Sequence, residues 1–164
     1  MALSADMLAS WRHPRRVMAR LLAAGRREDR ALMFLMLGCA LAFLSQWPRL
    51  MRASLDDPST PLEARLGGAL VAWLFIAPLA LYVIAALSHV AARMLGGRGS
   101  WYGARLALFW ALLAAMPMWL LNGLLAGLAG GGPLHDIAGA IALAGFVIIW
   151  LASLYQAEFG GEAR

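Results

Sequence analysis

Residues 106–128 read LALFWALLAAMPMWLLNGLLAGL, twenty-three positions without one charged side chain. A hydrocarbon core about 30 Å thick needs roughly 20 apolar residues in helical form, so this segment has the dimensions of a membrane span. Residues 31–47, 66–94 and 137–154 share the property: none is charged in its central part. The chain is 62% hydrophobic and 14% charged over 164 residues. A soluble domain averages about 45–50% apolar and about 25% charged, which sets a water-soluble fold with one large core aside. The expected fold is an all-α membrane protein, a four-transmembrane-helix bundle preceded by an N-terminal amphipathic interfacial helix. The expected divisions are a basic amphipathic segment (1–30), a four-span membrane domain (31–158) and a short tail (159–164).

All 14 cationic residues are arginine, and seven of them (Arg12, Arg15, Arg16, Arg20, Arg26, Arg27 and Arg30) precede the first span. Basic residues beside a hydrophobic segment meet anionic headgroups, so the net charge of +5 is read as membrane-directed and no nucleic-acid partner is expected. The arginine-only usage, with abundant Ala, Gly and Leu, suggests a bacterial source. Residues 10–25 form the amphipathic segment. Trp11, Pro14, Met18, Leu21 and Leu22 follow helical spacing and Arg12, Arg16 and Arg20 share another face. Ser10 and Pro14 give start signals and Gly25 a stop. The preferred reading lays this helix in the interface, apolar side in the acyl boundary; the alternative packs it on the bundle. The first apolar run begins near residue 31, too far in for a cleavable signal, so the first span is expected to remain as an anchor.

Trp47-Pro48 reads as the end of the first span, and Asp56-Asp57-Pro58 as a turn. Thr60-Pro61-Leu62-Glu63 is a capping box that starts a helix running to Leu95 and stopping at Gly96-Gly97. Ser100 caps the third helix, which breaks at Gly130-Gly131-Gly132-Pro133; Asp136 caps the fourth, which ends before Gly160-Gly161. With both termini inside, eleven arginines fall on the inner side and three on the outer, which predicts a multi-pass protein of the bacterial inner membrane with cytoplasmic termini.

Small residues let helices approach closely in lipid. Ala138, Ala142, Gly145 and Ala152 make such a stripe on the fourth helix. The third offers Gly103, Ala107, Ala111 and Ala114, then Gly123 and Gly127. Internal packing is the preferred use of these stripes and a homodimer the alternative. Pro78 and Pro117 interrupt the second and third spans, each roughly 25 Å along the helix from the 96–100 loop. They predict kinks at matched depth, and Asn122, about one turn further, marks a candidate polar cavity.

Sites for chemistry are scarce. Cys39 is the only cysteine, so internal disulfide or CxxC redox chemistry is excluded. Ser45, Ser88 and Ser153 lack a histidine one turn away, and His89 is read as a satisfied interfacial residue. No phosphate loop, dinucleotide fingerprint or metal-ligand spacing occurs, so no catalytic residue, cofactor or metal is expected. The most distinctive polar stretch is Gly96-Gly97-Arg98-Gly99-Ser100-Trp101-Tyr102-Gly103. It is expected to form a tight cytoplasmic hairpin, with Arg98, Trp101 and Tyr102 at headgroup depth contacting a protein or acidic lipid. Arg12, Arg15 and Arg16 join them as candidate contacts. The functional expectation is a membrane scaffold or adaptor; the alternative is a small permease or an accessory subunit of an export system.

The Trp11-Arg12-His13-Pro14-Arg15-Arg16 element resembles the start of bacterial members of the YIP-one family of Ypt-interacting proteins. The Gly96–Ser100 loop, followed 17 residues later by Pro117, is similar to that family's central hairpin. The resemblance spans nearly the whole chain and implies a bundle of four or five spans. In eukaryotic relatives it implies binding of Rab-type GTPases. The Asp-Leu-Tyr-Gly-Pro motif of those relatives is missing from the first span here.

Overall fold

A computed structural model describes residues 3–130 and 132–161; Gly131 of the predicted break and the last three residues of the tail lie outside them. The described residues form helices α1 (Leu3–Arg12), α2 (Pro14–Ala23), α3 (Glu28–Asp56), α4 (Leu62–Val71), α5 (Ala77–Met94), α6 (Trp101–Ala129) and α7 (Pro133–Phe159). A single π-turn, Ala72–Ile76, joins α4 to α5, so the two make one continuous span. Four helical rods are long and apolar enough to cross a membrane: α3, α4 with α5, α6 and α7.

The axis of the bundle is α6. From Leu106 to Met116 every residue is buried, and 56% of its apolar window lies inside the protein, against 6% for the α4–α5 span. The reason is side-chain size. Ala104, Ala107, Ala111, Ala114 and Ala115 are buried around α6, so neighbours can close in from several directions. The seam with α3 is closest where the sequence placed its glycines: a Cβ on Gly123 would overlap the Ser45 carbonyl, and one on Gly127 the Pro48 ring.

Several local expectations are corrected. Pro48 does not end α3, which continues two turns to Asp56. The lost hydrogen bond is tolerated because α6 braces this segment, and Arg52 donates to the Gly127 and Leu128 carbonyls. Thr60 does not cap α4; Pro61 occupies that position without a side-chain cap. Asp57 organises the turn instead, accepting from Ser59 N–H and Arg65, and these bonds hold its carboxyl below the ordinary range. Asp136 lies in the first turn of α7 rather than capping it. At Pro78 the helix meets the missing donor with a π-turn: Ala77 N–H reaches back to the Ala72 carbonyl, a known way of absorbing an interruption. Ser100 does cap α6, its hydroxyl accepting from Gly103 N–H.

The amphipathic segment is two helices broken at His13-Pro14. Val17, Met18 and Leu21 of α2 are buried in the protein. Its apolar side, expected in the acyl boundary, therefore packs on the bundle, and the arginines keep the outward face.

Candidate functional site

Most polar interactions gather at one end of the bundle, where α2, the Gly96–Ser100 loop and the C-terminal end of α7 meet. The loop leaves α5 through a paired C-terminal cap. Gly97 N–H bonds to the Ala92 carbonyl and Gly96 N–H to that of Arg93, with Gly96 at φ 90°; this is the left-handed position glycine adopts freely. The chain then runs against α7. Arg98 N–H donates to the Glu158 carbonyl at 2.8 Å, and Gly99 N–H to the Glu158 carboxylate at 3.2 Å. A Cβ on Gly99 would meet that carboxylate at 2.7 Å, so the glycine lets the loop come this close.

The same carboxylate takes a 2.6 Å hydrogen bond from His89 Nδ1, both side chains fully buried. His89 packs against Trp101, ring centroids 4.3 Å apart, and its Nε2 has no partner among the described residues. Glu158 thus ties α5, α7 and the loop together. The sequence reading missed it. One lone acid in the last turn of an apolar span, at the same end as one lone histidine in another, was the available signal.

The N-terminal hairpin is anchored beside this cluster. Arg30 donates to the Leu21 carbonyl at 2.6 Å and to the Tyr102 hydroxyl at 3.1 Å, and Arg105 pairs with Glu28 at 2.6 Å. Arg15 stacks over the Tyr155 ring at 4.6 Å. Above this polar belt Trp11 reaches inward: its indole N–H donates to the Ala114 carbonyl at 3.0 Å, and its ring fills the notch left by Gly145. Ala114 is nine residues beyond Arg105, about 13 Å along the helix. Pro117 has no N–H to offer the Leu113 carbonyl next to it, so the ladder is open where Trp11 docks. Trp110 N–H bonds the Ser10 hydroxyl at 2.9 Å and fixes the end of α1. Trp11→Ala is therefore expected to free the hairpin, costing about 2 kcal/mol because the ring is partly exposed. Amide exchange through residues 3–23 should accelerate while α6 keeps its protection.

Of the candidate contact residues, Arg12, Arg15, Arg16 and Arg98 are exposed, and Trp101 is half-exposed. Tyr102 is not: it is 2% exposed, its hydroxyl held by Arg30 and donating to the Arg27 carbonyl. Its role is to dock the hairpin, and it is withdrawn as a contact.

At the opposite end the four spans line a cavity of about 360 Å³, with Ala80, Ile84 and Leu143 of the lining exposed. Asn122 lines it, with Pro78 and Pro117 each one residue from a lining position, Ala77 and Met116. The walls are apolar, formed by Trp73, Leu81, Met116 and Phe146 among others. The polar groups collect at its mouth: Gln46, Arg49, Asn122 and His135. Towards the loop end Phe34 meets Trp110 and Tyr82 meets Phe109, centroids 5.0 Å apart in each pair; none of the four lines the cavity.

Four apolar rods and a docked N-terminal hairpin define a multi-pass, all-helical membrane protein. The family model of the Yip1 domain matches residues 8–157, from the hairpin to the last turn of α7, and the chain belongs to that family. No curated protein and no solved structure matches it.

Proposed function

We propose that the chain is a non-enzymatic scaffold of the cytoplasmic membrane, recruiting a protein partner to an arginine-bearing surface that also touches acidic headgroups. One observation supports this above the rest. Arg12, Arg16 and Arg98 are exposed with no ion-pair partner among the described residues, on segments pinned by Trp11, Tyr102 and Glu158. Unpaired cations on a rigid frame suit recruitment, since little ordering is lost on binding. The positive-inside distribution supports placing this end in the cytoplasm.

The permease alternative has the cavity in its favour, but the walls of that cavity are mainly apolar. The scaffold reading is tested by photo-crosslinking from position 98 in native membranes. A specific crosslinked protein is expected, with at least a tenfold loss of its co-purification in an Arg98→Ala/Trp101→Ala variant. No specific crosslink, together with wild-type behaviour of that variant, would remove the proposal.

A further inference from the structure

We propose that the cavity between the four spans holds an acyl chain of one anionic phospholipid drawn from the surrounding bilayer, with its phosphate at Arg49 and His135. Size and lining come first. A volume of about 360 Å³ with apolar walls and polar groups at one end has the build of a ligand site, and its two kinds of surface match the two parts of an amphiphile. The wall contributed by α6 runs from Leu112 to Ala126, fourteen residues or about 21 Å along the helix, enough to span one leaflet of a hydrocarbon core about 30 Å thick.

The mouth carries the recognition. Asn122 is 8% exposed, yet its Oδ1 has no hydrogen-bond partner among the described residues. His135 Nδ1 is also buried and unpartnered. A buried acceptor without a donor is costly, and a glycerol or headgroup hydroxyl supplies one. Arg49 is exposed and carries no ion pair among the described residues. The adjoining depression holds Arg52 and Asp56, one positive and one negative group, so Arg49 leaves the mouth cationic. An anionic phosphate completes that set through a charge-assisted hydrogen bond.

Packing points the same way. The α4–α5 span forms one wall through Trp73, Ala77, Ala80, Leu81 and Ile84, and it is the least buried of the four. A lipid tail between it and α6 supplies the dispersion contacts that protein side chains do not. The site lies at the opposite end from the arginine-bearing surface, and its success or failure is independent of the scaffold proposal.

The test is native mass spectrometry of the full chain, reconstituted in vesicles of equal phosphatidylglycerol and phosphatidylethanolamine and then stripped of loosely held lipid. One phosphatidylglycerol is expected to remain. Arg49→Gln should lower its retention roughly tenfold, the loss of one charged contact, and Ala80→Phe should abolish it by filling the cavity. Both positions are exposed, and unchanged circular dichroism shows that the variants fold. Absence of retained lipid, equal retention by Ala80→Phe, or no preference for the anionic lipid would each overturn the proposal. So would a lipid-free dimer that Ala80→Phe disrupts, which assigns the cavity to a second copy.

Discussion

Glu158→Ala is expected to destabilise the fold by about 3 kcal/mol, because removing one carboxylate leaves two hydrogen-bond partners at this end unsatisfied. The carboxylate serves His89 Nδ1 and Gly99 N–H at once. Its loss leaves a fully buried imidazole with neither ring nitrogen partnered and removes one of two bonds between the loop and α7, the Arg98 bond to the residue 158 carbonyl remaining. Glu158→Gln keeps an oxygen in place and should lose less than half as much. Denaturant unfolding in detergent measures both, and a cycle with His89→Ala separates the pair from its neighbours. An unchanged midpoint for Glu158→Ala would show that the pair does not hold this end together. The loop should also loosen selectively, with faster amide exchange at Gly99, whose acceptor is the carboxylate.

Gly123→Ala should cost about 3 kcal/mol or more, at the upper end for overpacking. The added methyl overlaps the backbone carbonyl of Ser45, and a main-chain atom inside a helix cannot turn aside as a flexible side chain can. The two axes must separate, and the Gly127–Pro48 contact one turn further opens with them. Gly67→Ala is the matched control: its Cβ meets nothing within 4 Å. There the gain in helix propensity should leave stability unchanged or raise it by up to about 1 kcal/mol. Equal effects at the two positions would mean that the α3–α6 seam is not set by close approach.

These two sites mark different degrees of legibility. Gly123 and Gly127 stand four apart in an apolar run, and that spacing alone identified a close-packing face. Glu158 and His89 are 69 residues apart, and nothing local to either announces the other. Tyr102 shows the same limit. Beside Trp101 it reads as an aromatic belt residue, but adjacent positions on a helix point about 100° apart. Trp101 faces outward while Tyr102 faces Arg30. Pro48 misled for a related reason, since its local signal is a stop and only the brace from α6 carries the helix past it.

The four spans, the Ser100 cap, the glycine exit from α5 and the small-residue seam were determined by the sequence alone. Each depends on the transfer of a contiguous segment out of water or on neighbours within one turn. The docking of Trp11 against Gly145, the Glu158–His89 tie and the apolar walls of the cavity at Asn122 were decided only by tertiary structure. A helix as uniformly apolar as α6 has no polar face to say how it is rotated. Which of its sides meets which neighbour is settled by the fit of small and large side chains across the bundle.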